Sequence, residues 1–486
     1  MLSILVGHSY FLRFDRKQRE RAKPYPPLAT LQVAGSLRQA GHDVALFDSM
    51  LAEGLGEYRR ELRIRQPQLV LLYEDNFNFL SKMCLGKMRA AACEMIAAAR
   101  HAGARVVAAG ADASDAPEPY LRAGADLVLL GEGLATLEQL LPRIDAHPGA
   151  ACEELAQGLS GIAFLAGGES HMVRGAYAPA ALRYDELPAW DLVDMPRYRD
   201  VWRAAHGYFS LNMAASRGCP FRCAWCAKPI WGNRYLQREP AAVAREMALL
   251  KHEFRADHVW FADDIFGLRV PWIQEFARLL AEAAAGIPFT IQTRADLLSE
   301  RMVQALREAT CVEAWLGAES GSQRILDAMN KGTTVPEILT ARSRLQAAGI
   351  RVGFFIQLGY LGEQLADILA TRELLAAARP DDVGVSVSYP LPGTRFHELV
   401  KAQLGAKTHW HDSDDLAMMF QGTYSSEFYR AVRDLLHDQV SLQALEASSP
   451  NGAAGEAQRA LERRWQELLS RERYCRSHPA VAVASG

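Results

Sequence analysis

The sequence predicts an α/β protein in which an N-terminal doubly wound parallel sheet is followed by a partial (β/α)6 barrel and a helical C-terminal region. Short apolar runs alternate with helical patterns over about the first 150 residues, and a second series of such pairs begins near Phe209. From about Ala402 onward the pattern is mainly helical. Alternating strand and helix signals are typical of parallel sheets whose strands are connected through helices.

The composition is that of a globular protein with a balanced charge. The chain has 486 residues, of which 49% are hydrophobic and 23% charged, and its formal net charge is -3. This length corresponds to about three domains, and the apolar content excludes a disordered or fibrous chain. The near balance of 54 basic and 57 acidic residues gives no reason to expect nucleic acid or an anionic membrane as the partner. A small-molecule substrate is favoured.

The sequence shows no export or membrane signal. The first apolar stretch, Leu2 to Val6, is too short for the core of a signal peptide. No run of about 18 apolar residues exists. We therefore expect a cytoplasmic protein without a membrane span.

The first series contains five predicted strands that are almost continuously apolar, which indicates strands covered on both faces. The intervening helices begin or end at glycines, as at Gly41, Gly103 and Gly133. The predicted strands are Ser3–Gly7, Asp43–Phe47, Gln68–Tyr73, Ala104–Ala109 and Asp126–Leu130. The predicted helices are Leu28–Gln39, Leu85–His101 and Leu134–Ile144.

A predicted hairpin and a linker separate the two series. Gly167 and Gly168 supply the turn of a hairpin over 161–175, and the proline-bearing segment 181–198 reads as the linker. The predicted boundaries are therefore 1–150 for the first sheet, 151–203 for the hairpin and linker, 204–401 for the barrel, and 402–486 for the helical region.

The second series contains six predicted βα units. Six in a row indicate a full or partial barrel, whose chemistry belongs at the carboxyl ends of its strands. The predicted strands are Ser210–Ala215, His258–Phe261, Phe289–Thr293, Val312–Gly317, Arg351–Gln357 and Val383–Ser388.

Three of the eight cysteines are clustered. Cys219, Cys223 and Cys226 have the spacing CxxxCxxC and follow the first strand of the second series. Random placement would give this spacing with a probability of about 0.002. Three thiolates can hold a cubane iron-sulfur cluster and leave one iron open. A zinc site normally needs a fourth Cys or His ligand, and none lies nearby in the sequence. A three-cysteine zinc site and three unrelated thiols are the alternatives to the iron-sulfur cluster.

The sequence around these cysteines, SRGCPFRCAWCAKP at 216–229, resembles the radical S-adenosylmethionine (SAM) superfamily. The resemblance extends to the later strand ends, where the motifs look like those of the cobalamin-binding branch. These motifs are FADDIF at 261–266, QTRADLL at 292–298, GAESGSQRILDAMNKGTT at 317–334 and YPLPGT at 389–394.

The resemblance implies a 4Fe-4S cluster on the three cysteines, with SAM chelated to the open iron and cleaved reductively to a 5′-deoxyadenosyl radical. The resemblance implies that residues 262–264 contact the methionine amino group of SAM and that Arg294 pairs with its carboxylate. Glu319 and Ser320 are implied to contact the ribose. The implied SAM-binding residues are Trp225, Ala262, Asp263, Asp264, Arg294, Glu319, Ser320 and Gly359. A helix cap is the alternative for the two aspartates, and a surface charge is the alternative for Arg294. Leu361 replaces the proline that the family usually has after Gly359.

The N-terminal region resembles the cobalamin-binding domain that precedes such barrels, through the segments 25–48 and 109–133 and the bridge LPAWDLVDM at 187–195. The resemblance implies cobalamin binding by His8, Gly110, Gly131, Glu132 and Gly133. The loop GHSYFLRFD at 7–15 has His8 but lacks the aspartate and glycine of the usual Asp-x-His-x-x-Gly motif. Cobalt without a histidine beneath it is therefore favoured over ligation by His8.

The predicted function is that of a cobalamin-dependent radical SAM enzyme that methylates an unactivated carbon or phosphorus of a small molecule. One alternative is a radical SAM cyclase, oxidase or rearrangement enzyme that uses cobalamin without net methyl transfer. Another is a non-catalytic cobalamin or iron-sulfur sensor. An electron donor such as flavodoxin or ferredoxin is the expected protein partner. No motif identifies the substrate, and the polar stretch 409–414 is either a substrate contact or a solvated loop.

Overall fold

The computed structural model describes residues 1–78, 86–174, 186–226, 234–404, 416–448 and 454–477. The chain divides into two compact units. The first unit comprises Met1–Pro220, Lys228–Asp263 and Arg278–Pro288, and the second comprises Phe221–Ala227, Asp264–Ala277 and Phe289–Gly486. The predicted domain boundaries stay a prediction, and the polar stretch 409–414 lies outside the described residues.

Seven strands of the first unit form one sheet in the order β2-β1-β3-β4-β5-β6-β7. The first five are parallel, and they confirm the five predicted strands. The order 2-1-3-4-5 makes β1 and β3 neighbours at a topological switch point, where doubly wound sheets bind ligands beyond the carboxyl ends of the strands. The strands are β1 Ser3–Gly7, β2 Asp43–Phe47, β3 Leu69–Tyr73, β4 Arg105–Ala109, β5 Leu127–Leu129, β6 Ile162–Ala166 and β7 Glu169–Val173.

Helices cover this sheet, and the central strand β3 is buried along its whole length. Burial on both faces explains why its sequence is continuously apolar. Gly133, which precedes a helix, has a positive φ of 69°, and a Cβ there would lie 2.5 Å from the Cβ of Leu129. The helices of this region are α1 Arg16–Arg21, α2 Leu28–Gln39, α3 Leu55–Arg65, α4 Gly86–His101, α5 Ala111–Asp115, α6 Pro117–Arg122, α7 Leu134–Ala146 and α8 Cys152–Ala156.

The predicted hairpin is confirmed, and the predicted linker is partly wrong. Strands β6 and β7 pair antiparallel around Gly167 and Gly168, which both have positive φ. Within the described part of the linker, Trp190–Leu192 forms a 3-10 helix and α9 (Met195–His206) begins soon after. Trp190 is buried and its Nε1 donates to Glu246 Oε1 at 3.1 Å, so this segment is fixed by packing.

The six strands predicted for the barrel are all present. In the first unit β8 and β11 pair in parallel, and a short antiparallel pair, β9 and β10, follows the end of β8. In the second unit β12, β13, β14 and β15 pair in parallel in that order. The predicted strand 210–215 ends early, at Met213, and β9 begins at Ser216. The strands are β8 Ser210–Met213, β9 Ser216–Gly218, β10 Tyr235–Gln237, β11 His258–Phe261, β12 Phe289–Thr293, β13 Cys311–Glu319, β14 Arg351–Leu358 and β15 Asp382–Val387.

Helices follow the parallel strands of the second series, and two long helices confirm the helical C-terminal region. None of the described helices is both long enough and apolar enough to cross a bilayer. The helices are α10 Pro240–His252, α11 Val270–Glu282, α12 Glu300–Glu308, α13 Gln323–Ala328, α14 Val335–Ala347, α15 Leu365–Ala378, α16 Arg395–Val400, α17 Ser426–Ser448 and α18 Ala454–Ser470.

Candidate active site

The segment that carries Cys223 and Cys226 is held by backbone hydrogen bonds within the second unit. Ala224 N donates to Met329 O at 2.7 Å, and Phe396 N donates to Ala224 O at 2.9 Å. Cys226 N donates to Cys223 O at 3.2 Å, which closes a tight turn between the two thiols. The loop after α13 and the start of α16 therefore fix the backbone of the cysteine segment.

The chemistry of the donors fits an iron-sulfur cluster. Cys219, Cys223 and Cys226 are free thiols, and Cys219 is buried. Among the described residues, no group of three or more His, Cys, Asp or Glu side chains is arranged to hold a single metal ion. A cubane cluster does not need such convergence, because each cysteine binds a different iron.

Arg294 lies next to the cysteine segment and is only 5% exposed, so the surface-charge alternative is wrong. Its guanidinium forms hydrogen bonds of 2.9 and 3.0 Å to Asp296 and stacks 3.8 Å from the ring centroid of Phe221. Arg294 Nη1 lies 3.8 Å from Cys223 Sγ. This arrangement keeps a fixed cation beside a cluster thiolate, where it can also pair with a ligand carboxylate.

Glu319 and Lys331 form a buried ion pair at the carboxyl end of β13. Lys331 Nζ donates to Glu319 Oε1 at 2.7 Å, and Glu319 has a positive φ of 60°. Burial alone would lower the pKa of Lys331, but the charges of Glu319 and Cys223 outweigh it and raise that pKa. A Cβ on Gly317 would lie 2.6 Å from Lys331 Nζ, so the glycine makes room for the pair. Sequence reasoning did not assign a role to Lys331, and only its place in the Gly317–Thr334 motif could have indicated one.

Ser320 and Gly359 differ in their surroundings. Ser320 is fully buried, and its Oγ lies 3.2 Å from Thr371 Oγ1, on helix α15. Ser320 therefore packs against helix α15, and its implied ribose contact stays a prediction. Gly359 has a positive φ of 71° and forms the predicted turn without the usual proline.

The turn at Gly359 is stabilised by a buried carboxyl group. Gly359 N donates to Glu363 Oε2 at 2.7 Å. Burial raises the pKa of Glu363 to about 8, because neighbouring groups compensate only part of the cost of a buried charge. A Cβ on Gly359 would lie 3.2 Å from Cζ of Tyr429 on α17, so the C-terminal helix leaves space only for glycine here.

Several buried polar atoms near these strand ends have no hydrogen-bond partner in the part of the chain that the structure describes. SAM carries an ammonium, a carboxylate, ribose hydroxyls and adenine nitrogens, which complement donors and acceptors of this kind. The second unit therefore fits the ligand that the motifs imply. The unpartnered atoms are Trp225 Nε1, Thr333 Oγ1, Gln357 Oε1, Glu363 Oε1 and Ser388 Oγ.

The motif after β11 has one structural and one solvent-accessible aspartate. Asp263 is buried and accepts hydrogen bonds from Ala215 N at 3.0 Å and Ser216 Oγ at 2.5 Å. It fixes the start of β9, while Asp264 is partly exposed. Ala262 N donates to Met213 O at 2.8 Å. The cap alternative is wrong for both aspartates, since the next helix begins only at Val270.

His8 lies after β1 and has no free ring nitrogen. Its Nε2 is 3.0 Å from Asp48 Oδ1, and its Nδ1 is 3.2 Å from Ser49 Oγ. Burial lowers the pKa of His8, but the hydrogen bond to Asp48 and the charges of Asp48 and Glu74 raise it above its ordinary value overall. This geometry disfavours His8 as a cobalt ligand, in line with the favoured prediction.

The residues implied after β4 and β5 lie at the same edge of the first sheet. A Cβ on Gly110 would lie 2.8 Å from Cγ of Glu74, and Gly131 N donates to Ser114 Oγ at 2.9 Å. Glu132 forms an ion pair with Arg217 from β9. Sequence reasoning missed Arg217, which stands two positions before Cys219.

Arg217 is buried and contacts several residues of the first unit. Besides Glu132 it donates to Gln32 Oε1 on α2, and its guanidinium lies 5.6 Å from the ring centroid of Phe77. Tyr73 Oη donates to the carbonyl oxygen of Glu132 at 2.8 Å. The chain just before the cysteine segment is thus joined to the ligand-binding edge of the first sheet within one unit.

Residues 213–375 match the family model described as the Radical SAM superfamily. The matched range begins at the end of β8 and includes the three cysteines, Arg294 and the Glu319–Lys331 pair. The chain therefore contains a radical SAM domain. The 4Fe-4S cluster and SAM that this superfamily uses agree with the donor set and the strand-end groups described above.

Two relatives and one solved structure are similar over most of this chain. The uncharacterized methyltransferase PH0819 of Pyrococcus horikoshii is 27% identical over 77% of this chain and 78% of its own length. The hopanoid C-3 methylase of Methylococcus capsulatus is 25% identical over 79% of this chain and 70% of its own. Several other curated relatives are longer, and the chain spans about half of their length.

The solved structure is the radical SAM methyltransferase TsrM from Kitasatospora setae with cobalamin and a 4Fe-4S cluster bound. It matches with a TM-score of 0.63 at 17% identity and covers 83% of this chain and 75% of that one. At this identity the match shows the fold, and it confirms the predicted class of a doubly wound sheet followed by a partial barrel.

Proposed function

We propose that this radical SAM protein is a cobalamin-dependent methylase of an unactivated carbon or phosphorus in a small molecule. The observation that carries the proposal is the strand-end cluster of the second unit, where Arg294 and the Lys331–Glu319 pair lie beside the Cys223 thiol. A sensor does not need such a buried charged site for an amino acid ligand. The methylase assignment is supported by the relatives named above, and cobalamin by the switch point of the first sheet.

In the proposed reaction the cluster supplies the electron that cleaves SAM, and cobalamin carries the methyl group. This chain holds the methionine end of SAM. Arg294 pairs with the carboxylate, while its contacts to Asp296 and Phe221 keep the guanidinium oriented. Ala262 and Asp264 are the proposed neighbours of the amino group.

Glu319 is the proposed acceptor for the ribose hydroxyls, with Lys331 holding its carboxylate in place. Gly359 allows close approach of the adenine, and Trp225 has a buried Nε1 available to a ligand. Gly110, Gly131, Glu132 and Gly133 are the proposed cobalamin neighbours at the edge of the first sheet. Burial of these groups excludes water from the charged contacts, which strengthens them.

An electron donor such as flavodoxin or ferredoxin and a cytoplasmic location belong to this proposal. Substrate choice is assigned to the C-terminal helices, because Tyr429 of α17 reaches the turn at Gly359. No nucleic-acid partner is proposed, in view of the balanced charge of the chain.

The test is anaerobic reconstitution with iron and sulfide, followed by incubation with SAM, hydroxocobalamin and a reductant. A methylase forms both S-adenosylhomocysteine, from loading the cobalamin, and 5′-deoxyadenosine, from radical formation. Cys223→Ala should abolish 5′-deoxyadenosine, whereas Cys152→Ala, outside the site, should not.

Mass spectrometry of the two products separates the alternatives. Deoxyadenosine without homocysteine would favour a cyclase, oxidase or rearrangement enzyme and contradict the methylase. The absence of both products from a protein with an intact cluster would favour a sensor.

A further inference from the structure

The loop after β3 lies at the switch point of the first sheet, and most of its polar groups are already in use. Both Oε atoms of Glu74 accept from Ser9 N at 3.1 Å. Asp75 Oδ1 accepts from Ala29 N at 3.0 Å, at the start of α2, and from Phe77 N at 3.2 Å. These carboxylates therefore fix the backbone of the loops around the switch point.

Asn76, between Asp75 and Phe77, is the exception. Its side chain is 0% exposed, and neither Nδ2 nor Oδ1 has a hydrogen-bond partner among the residues that the structure describes. A primary amide offers two donors and an acceptor, and a buried amide that makes none of these bonds destabilises the ligand-free fold. Unpaired buried groups of this kind are rare in native proteins, and a bound water, ion or ligand is one explanation for them.

We infer that the Asn76 carboxamide binds the corrin ring of the cobalamin, through the amide side groups at the ring periphery. This inference rests on the proposed function. The acetamide and propionamide groups of the corrin are neutral and carry both donors and acceptors, so an asparagine is their natural complement. His8 does not supply this contact, because both of its ring nitrogens are engaged. The neighbouring Phe77 packs under the guanidinium of Arg217, which holds this part of the loop in place.

The test compares Asn76→Leu, which replaces the amide with an apolar group of similar size, with the matched change Asn212→Leu. Asn212 is also buried in the first unit, and its Oδ1 has no partner among the described residues, but its Nδ2 donates to Pro26 O at 3.1 Å. Two quantities are measured on each full-length protein: the Kd for hydroxocobalamin by absorbance titration, and the melting temperature without corrinoid.

For Asn76→Leu we expect the Kd to rise by about tenfold or more, as for a lost buried hydrogen bond. The melting temperature should stay the same or increase, because an unsatisfied amide has been removed. Asn212→Leu should show the reverse, with a lower melting temperature and an unchanged Kd. A merely structural role for Asn76, such as binding an internal water, predicts a lower melting temperature and would overturn the inference.

A second titration with cobinamide, which lacks the nucleotide tail but keeps the ring amides, identifies the contact. The same relative loss of affinity for both corrinoids supports binding to the ring. A loss seen only with hydroxocobalamin would place the contact on the tail and overturn the ring assignment. An unchanged Kd in Asn76→Leu overturns this inference alone, whereas a wild-type protein that binds no corrinoid overturns the cobalamin part of the proposed function as well.

Discussion

The strand ends of the second unit and the switch point of the first sheet are both proposed to bind ligands, but their polar groups are held differently. In the second unit Arg294 and Lys331 are buried cations, each paired with a carboxylate. At the switch point Glu74 and Asp75 bind backbone amides, and Asn76 has no partner among the described residues. A charged amino acid ligand needs ionic groups, which must be paired before it arrives because isolated buried charges are very costly. A neutral, amide-rich ligand such as a corrinoid can be met by an unpaired amide at a smaller cost.

The comparison is tested most strongly by removing the cation at the second-unit site. Lys331→Met leaves Glu319 buried without its partner, and we expect a loss of about 3–5 kcal/mol in the free energy of unfolding. Chemical denaturation of the full chain measures this loss. The double variant Lys331→Met with Glu319→Leu should recover much of the stability while SAM binding stays weak.

The exposed pair of Arg16 and Glu20 provides the control for this prediction. Glu20→Gln should change the free energy of unfolding by less than about 0.5 kcal/mol, as is usual for surface charges. If Lys331→Met changes the free energy of unfolding as little as Glu20→Gln does, the buried ion pair does not stabilise the site before the ligand binds. The proposed difference between the two edges is then refuted.

The next largest effect is expected at the first sheet, where the buried guanidinium of Arg217 is paired with Glu132. Arg217→Met breaks the contacts to Glu132 and Gln32 and should lower the free energy of unfolding by about 2–3 kcal/mol. Arg38→Met, which removes an exposed pair with Asp191, is the matched control. Equal effects of the two changes in chemical denaturation would show that burial of Arg217 contributes nothing.

The effect that is smallest for each step of the experiment is a dependence of stability on pH. The pKa of Glu363 is about 8 in the folded protein, above its ordinary 4.5, so the folded chain keeps this proton while the unfolded chain loses it. Its contribution to stability should therefore fall by about 1.4 kcal/mol per pH unit between roughly pH 4.5 and 8. Glu363→Gln keeps an acceptor for Gly359 N and should remove this slope in melting curves recorded from pH 5 to 9. A wild-type pH profile in this variant would refute the assignment of a neutral buried Glu363.

The order of elements followed from local patterns in the sequence. The predicted strand Ser3–Gly7 and helix Leu28–Gln39 agree with the observed bounds, because apolar runs and terminal glycines act within a few residues. Prediction failed for the segment before α9, where proline suggested a linker. Trp190 is instead buried against Glu246, a contact 56 positions away in the chain that no local pattern reveals.

The candidate site was predicted less completely than the fold. The motifs named Arg294 and Glu319 but gave no reason to choose Lys331, whose ion pair depends on how the loop after α13 folds back onto β13. They also could not show that the hydroxyl of Ser320 lies next to that of Thr371, because residue type does not indicate which polar side chains contact each other. A side chain's partner depends on the direction in which it leaves its strand or loop, which residue type does not fix.

The sequence by itself determined the α/β class, the two series of strands and the three cysteines, because periodicity, glycine positions and motif spacing are properties of neighbouring residues. Only the tertiary structure decided which polar groups have hydrogen-bond or ion-pair partners. His8 and Asp48 are 40 positions apart and meet because parallel strands bring their carboxyl ends to one edge, where Glu132 also meets Arg217 of β9 from 85 positions away. The same convergence leaves Asn76 buried without a partner among the described residues, and that vacancy in the hydrogen bonding is what points to a ligand.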